Sequence, residues 1–308
     1  MRRFFFLLLI MIMIPYITTL AWTGRLEGYE QYTNGKVLIE GEKENRAITI
    51  EEYLISVLAA QIPADFEVET LKAQAIIART YIYGLSENRQ EIFEEELDMD
   101  ALSTEQMKDL WGETEYPTML AKVKKAVDST SGLYLLYDGK LINPLFCYAS
   151  AGITRSYGES APYLKQKESP GDLLAEKFRS LPVFETGEFV RKINEIPGAV
   201  TVTEEVLKHG EGIQIVERDG SGYVKQVQVG QKTYTGEEIQ YALGLASSCY
   251  SFEQLDGKIR VICKGIGHGY GFAQFGANEM AKEGSTYEEL LKYYYSNVEI
   301  VGTEQEEK

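Results

Sequence analysis

Two stretches of the 308-residue chain carry side chains able to grip a polar ligand. In the first, Ile50, Tyr53, Leu54, Val57 and Leu58 recur at helical spacing, Gln61 ends the stripe, and Pro63 stops the run. A carboxamide donates and accepts hydrogen bonds but has no proton to release, so Gln61 can orient a ligand and cannot serve as a general acid. The following run carries Lys72 and Arg79 in one stripe with Ile76, at spacings of four and three, beside the small Ala73, Ala75 and Ala78. In the second stretch, five glycines from Gly265 to Gly276 frame His268, Tyr270 and Gln274. Glycine there permits tight turns and close approach of a ligand to the backbone. No strand, helix and distal acidic residue follow in a compact βαβ unit, so the pattern is not a dinucleotide fingerprint and implies no cofactor.

The elements that must position these groups are legible in outline. Alternating runs in 27–41 and 44–50, around Asn34-Gly35 and Glu40-Gly41, predict a small opening sheet. Thr49 and Glu52 form a capping box for a helix ending near Gln61, and a second helix is expected over about 68–84. The acidic segment 87–113 reads as a solvated, irregular or partly helical excursion. A helix over 118–130 and a hairpin made of 133–137 and 141–148 about Asp138-Gly139 should follow, then helical turns at 172–178 and 187–195. Strands at 212–217, 222–229 and 232–235, a short helix at 237–243, a hairpin about Asp256-Gly257 and a last helix over 286–295 complete the pattern. There is no regular βαβ rhythm, which predicts an α+β fold of mixed helices and short antiparallel strands.

Composition bounds the function. The chain is 44% hydrophobic and 25% charged, as expected of a folded protein with a substantial core. A net charge of −16 makes a phosphate backbone an improbable partner, so no nucleic acid is expected. Three cysteines and two histidines without a C-x-x-C pair cannot build an ordinary local zinc site. Met1-Arg2-Arg3 precede an apolar stretch to Trp22, closing on Thr19-Leu20-Ala21, that suits either a single membrane anchor or a cleaved signal. Residues 1–24 are therefore expected to be the export segment, 25–300 an extracytoplasmic domain and 301–308 an acidic tail. The protein is expected at the cell membrane, single-pass, or secreted. In that oxidising setting Cys249 and Cys263, on the two arms of one hairpin, invite a disulfide. With Leu255 paired to Lys258, however, Cys249 falls opposite Lys264, one position out of register, and a bulge would be required.

Three ordered blocks carry a family resemblance: Glu51 through Ala60-Gln61-Ile62-Pro63 to Lys72-Ala73-Gln74-Ala75-Ile76-Ile77-Ala78-Arg79-Thr80-Tyr81; Phe146 to Thr154 with Pro162 to Lys165 and Ser169 to Asp172; and Lys264-Gly265-Ile266-Gly267-His268-Gly269-Tyr270-Gly271-Phe272-Ala273-Gln274 to Asn278, ending in Tyr287 to Tyr295. Together they resemble the family of stage II sporulation protein D and the amidase enhancer, exported proteins that act on bacterial peptidoglycan. The resemblance implies a lytic transglycosylase fold whose subdomains bound a groove for glycan strands. It also implies one carboxylic acid that protonates the glycosidic oxygen, while the sugar's own hydroxyl replaces water as nucleophile.

In the family that acid is the Glu before Met-Pro or Ile-Pro at the end of the first helix; here the position is Gln61. The resemblance places Lys72, Arg79, Ser150, His268, Tyr270 and Gln274 on the groove, and puts Cys147 where the family often has His. Glu67 and Glu69 read as helix N-terminal carboxylates complementing the dipole. A zinc-binding insertion, which some members carry between the second helix and the next, would need Cys and His; residues 84–116 hold neither, so no metal is expected. The expected partners are peptidoglycan glycan strands, with an amidase and membrane proteins of a sporulation engulfment complex. Two functions stay open here: a glycan-binding protein with reduced or no catalysis, and an active lytic transglycosylase on stem-peptide-free glycan using some substitute acid.

Overall fold

The computed structural model describes residues 35–39, 46–87, 89–207 and 212–302. The expected export segment 1–24, Asn34 and the expected Glu40-Gly41 turn, and most of the expected acidic tail lie outside the described residues. No helix among the described residues is long and apolar enough to cross a membrane.

The elements run β1 (Lys36–Ile39), β2 (Arg46–Thr49), α1 (Ile50–Gln61), α2 (Val68–Ser86), β3 (Glu91–Phe93), α3 (Glu94–Leu97), α4 (Thr104–Asp128), β4 (Leu133–Tyr137), β5 (Lys140–Leu141), β6 (Phe146–Cys147), β7 (Arg179–Ser180), β8 (Val183–Glu185), α5 (Thr186–Asn194), α6 (Glu204–Leu207), β9 (Ile213–Arg218), β10 (Val224–Val229), β11 (Lys232–Thr235), α7 (Gly236–Leu243), β12 (Tyr250–Leu255), β13 (Lys258–Lys264), β14 (Phe272–Ala273), α8 (Gln274–Lys282), α9 (Tyr287–Tyr294) and β15 (Glu299–Gly302). A 3₁₀ turn, Pro170–Leu174, lies between β6 and β7. Short sheets and helices mixed without a βαβ rhythm make this an α+β protein, as the pattern predicts.

Among the described residues three apolar clusters hold the fold together. The first buries Tyr53, Leu54, Val57 and Leu58 of α1 against Leu71, Ala75, Ala78 and Ile82 of α2 and Val123 and Val127 of α4. The second joins α5 and α7 to the sheets β9–β11 and β12–β13 through Phe189, Val227, Ile239 and Val261. In the third, the opposite face of α2, through Ala73, Ile76 and Ile77, packs on Phe272, Ala277, Leu290 and Tyr294. Helix α2 is thus covered on two sides, which its alanines permit by admitting close neighbours.

Several local expectations change. The acidic segment is not a free loop: β3 pairs in parallel with β1, and Ile92 and Leu97 are buried in the first cluster. Helix α4 starts at Thr104 and contains a break at Gly112, whose φ of 73° lies in the left-handed region. The hairpin after Asp138-Gly139 is cut to Lys140–Leu141, and Phe146–Cys147 instead pairs in parallel with Phe272–Ala273. Pro144 intervenes, and a residue without an N–H cannot extend the ladder.

Strands β12 and β13 adopt the expected register, Leu255 opposite Lys258 and Tyr250 opposite Cys263. No bulge aligns Cys249 with Cys263. Neighbouring rungs face opposite sides of a sheet, and all three cysteines are free thiols.

Candidate functional site

Helix α1 delivers Gln61 to the rim of the first cluster. Leu58 and Val57 are fully buried, so a residue three and four positions on follows the same stripe outward, where it is half-buried. Ile62 turns to an extended conformation and Pro63 prevents another turn. The last helical carbonyl therefore needs an external partner, and Gln274, the first residue of α8, donates its side-chain amide to the Gln61 carbonyl at 3.0 Å. The same Nε2 donates to Gln74 Oε1 at 3.2 Å, and Gln74 Nε2 donates to Gln61 Oε1 at 3.0 Å. Gln74 and Gln274 are 0% and 1% exposed. Three carboxamides from three helices form one closed polar network at the end of α1.

Aromatic side chains border it. Phe275, next to Gln274, lies with its ring centre 6.1 Å from that of Tyr148 and 6.0 Å from that of Phe66. Tyr148 and Phe275 are half-exposed.

His268 and Tyr270 belong to a second cluster, organised by Arg155. The Arg155 guanidinium lies between two rings, 4.4 Å from the centre of Tyr270 and 4.8 Å from that of Tyr223. It donates to Asp219 Oδ2 at 2.6 Å, to Glu237 Oε1 at 3.0 Å and to the His268 carbonyl at 3.3 Å. The loop can thread this space only because it is glycine: a Cβ on Gly269 would fall 2.3 Å from the Tyr223 hydroxyl and one on Gly271 1.8 Å from the Leu145 carbonyl, and both have positive φ. His268 Nδ1 accepts from the Tyr270 N–H at 3.0 Å. Burial, with the Arg155 cation nearby, holds the imidazole below its ordinary range, so His268 is neutral at pH 7. Burial pushes the Tyr270 phenol up.

Ser150 serves a third arrangement. Its N–H and hydroxyl donate to Asp172 Oδ2 at 2.9 and 2.6 Å, while Gly276 N–H donates to Oδ1 at 2.7 Å. Helix α8 has Ala273 at its N-cap, which offers no side-chain acceptor. Asp172, fully buried on the 3₁₀ turn, caps the helix from outside. Ser150 itself is 0% exposed, so its hydroxyl is committed to Asp172 and not offered to solvent.

The two expected basic residues diverge. Lys72 remains partly exposed but pairs with Glu69 at 2.7 Å and lies 5.5 Å from the centre of the Tyr287 ring, at the junction of α2 and α9. Arg79 is not on a groove face. It is 0% exposed, gripped by both carboxylate oxygens of Glu51 at 2.8 and 2.6 Å and by the Leu133 carbonyl at 3.0 Å. The reason is helix direction: α1 and α2 are joined by a short turn and run oppositely, so Gln74 meets the end of α1 while Arg79 meets its start. Ten residues of helix separate Glu51 from Gln61, about 15 Å.

The structure thus brings Gln61 and Gln274 together, sets His268 beside Tyr270, and assigns Ser150 and Arg79 to internal bonding. Sequence reasoning missed Gln74, Arg155, Asp172, Asp219 and Tyr223. Gln74 had a visible signal, a lone amide between Ala73 and Ala75 on a buried stripe. The remainder depend on pairings across long sequence separations.

Comparison with known proteins places this architecture. Residues 40–137 match the family model described as stage II sporulation protein. The chain is 34% identical over 265 residues to stage II sporulation protein D of Bacillus subtilis (strain 168), covering 82% of this chain and 74% of that one. Identity to stage II sporulation protein D of Bacillus amyloliquefaciens is 35%, with the same coverage. The amidase enhancer of Bacillus subtilis (strain 168) is 25% identical over 292 residues, 79% of this chain and 39% of its own length.

Proposed function

The chain belongs to the stage II sporulation protein D family, and from that premise we propose that it is an exported, peptidoglycan glycan-strand-binding protein of sporulation with reduced or no lytic activity. The observation that carries the reading is Gln61 itself. It stands at the end of α1, held by Gln74 and by Gln274, whose neighbour Phe275 lies against the half-exposed Tyr148. Its carboxamide can hydrogen-bond a sugar oxygen but cannot protonate a leaving group, and loss of a general acid costs about a hundred- to ten-thousand-fold in rate. Aromatic faces next to amide groups suit the alternating apolar faces and hydroxyls of a glycan.

In this reading the groove lies where the end of α1, the Tyr148 segment and the glycine loop with His268 and Tyr270 approach one another. The protein holds glycan there while an amidase partner acts, at the outer face of the membrane within an engulfment assembly.

The test pairs binding with chemistry. The protein should be pulled down by stem-peptide-free glycan strands, and Tyr270→Ala should weaken that binding. The unmodified chain should release little or no anhydro-muropeptide, while Gln61→Glu should restore measurable cleavage. Neither expected cation is free to hold a carboxyl at position 61 ionised, since Lys72 is paired with Glu69 and Arg79 lies at the far end of α1 on Glu51, and partial burial favours the neutral acid. The Gln74 donor opposes this, so the expected rescue is partial. Robust turnover by the unmodified chain, abolished by substituting another carboxylate such as Glu69 without unfolding, would overturn the reading.

A further inference from the structure

The network at the end of α1 has a direction, and the direction starts from a group that cannot be reversed. A side-chain amide can be turned end for end, but the Gln61 main-chain carbonyl only accepts. The group 3.0 Å from it on Gln274 must therefore be the NH₂. One hydrogen of that NH₂ serves the carbonyl and the other faces Gln74 at 3.2 Å, so the facing atom of Gln74 must be its oxygen. That turns the Gln74 NH₂ toward Gln61, whose facing atom at 3.0 Å must in turn be an acceptor. With its oxygen turned inward to Gln74, Gln61 directs its own NH₂ outward, and the second lone pair of that oxygen stays on the Gln74 side. No hydrogen bond from Gln61 Nε2 to another described residue competes for it.

We propose that Gln74 and Gln274 are positioning residues that fix the polarity of the group at position 61, so that the atom it turns to the ligand is its NH₂ donor. The complementary ligand atom is an uncharged acceptor oxygen without a hydrogen of its own to give, such as the ether oxygen of a glycosidic link or an acetamido carbonyl, and not a hydroxyl acting as donor. The same relay gives Gln61→Glu its competence. Gln74 would hold the carbonyl oxygen of the neutral acid, leaving the O–H on the outward oxygen, aimed where the amide donor is now. This proposal rests on the glycan-binding reading for the identity of its ligand, but the polarity itself does not.

The experiment separates the two. In the full chain with selectively ¹⁵N-labelled glutamine, the side-chain NH₂ groups of Gln74 and Gln274 should exchange slowly with solvent and that of Gln61 quickly. In Gln74→Glu the new carboxylate can accept from Gln274 but has nothing to donate, so Gln61 must turn over and give its NH₂ inward. Its side-chain signal should shift and become protected, and affinity for stem-peptide-free glycan strands should fall about tenfold, the scale of one net hydrogen bond. Gln74→Met, which keeps the volume and removes both polar atoms, should weaken binding without protecting the Gln61 amide.

A fast-exchanging Gln74 amide in the unmodified chain, or a Gln61 signal unmoved by Gln74→Glu, overturns the fixed polarity. Inversion with undiminished glycan affinity overturns the assignment of the ligand atom. Should the unmodified chain fail to bind glycan at all, the functional reading falls, while the exchange measurements still decide the polarity.

Discussion

The guanidinium carbon of Arg155 lies 4.4 Å from the centre of the Tyr270 ring, and the Arg155 N–H donates to the carbonyl of Gly269, the residue before that ring, at 2.8 Å. Main chain and side chain of one residue thus hold both the backbone and the ring of the glycine loop. The second half of the chain supplies Asp219, Tyr223 and Glu237 from the other side. Arg155 is therefore the tie between the loop that carries His268 and the subdomain behind it.

Replacing Arg155 should accordingly destabilise far more than removal of a surface charge. Arg155→Met leaves the Asp219 carboxylate partly buried without its cation, and a loss of about 3 kcal/mol is expected in urea unfolding. The Glu237 pair is more exposed and adds little. Arg155→Lys keeps the charge but cannot stack flat between two rings while bonding two carboxylates, so it should recover only part of the loss.

For Arg79 the expectation is structural. Arg79→Leu should cost about 3–5 kcal/mol by stranding Glu51 and the Leu133 carbonyl. On the proposed reading any folded fraction should bind glycan with unchanged affinity, because the Arg79 side chain is itself 0% exposed. A selective binding defect with normal stability would contradict the geometry.

Acid should weaken the fold through His268. Its folded pKa lies below the ordinary 6.5, so below about pH 6.5 the unfolded chain takes up a proton that the folded chain resists. This contribution is complete above that pH and lost as pH falls. Chemical denaturation at pH 7.5 and pH 5 should show the decline, and His268→Gln should flatten it.

Thiol chemistry should report three cysteines. Unreduced, denatured protein should label at Cys147, Cys249 and Cys263 alike. In the folded state Cys147, whose thiol burial pushes far above its usual range, and the buried Cys263 should be silent, with Cys249 reacting slowly.

What could be read from sequence followed local physics. The Thr49–Glu52 box, with reciprocal bonds of 3.2 and 3.0 Å, announces α1, and Asp256-Gly257 fixes the β12–β13 register. What failed required partners distant in sequence. Arg79 reads as a groove residue because it matches a basic position of the family and shares a stripe with Lys72 and Ile76, and only the reversal of direction between two helices hands it to Glu51. Helix α8 lacks a capping side chain of its own, so nothing nearby marks its start; the cap arrives from Asp172, 104 positions earlier. Of the site, Gln61 was visible as a departure from a motif. Gln274 is singled out with the glycine stretch and Gln74 stands alone between two alanines, but nothing in the sequence joins either of them to Gln61.

The hydrogen bond from Gln274 to the Gln61 carbonyl spans 213 positions of sequence, and the β6–β14 pairing beside it also joins distant segments. Contacts of that separation form late, since the intervening chain must first be brought together. During synthesis α1 and α2 are complete long before α8 exists, so an unfinished chain can bury much of the first cluster while its Gln61 side chain still turns freely. Only a finished molecule aims that donor. Orientation at the end of α1 thus depends on the completed chain: on the proposed reading, products truncated before Gln274 should be partly ordered species that engage glycan poorly and do not compete with intact copies for the same strands.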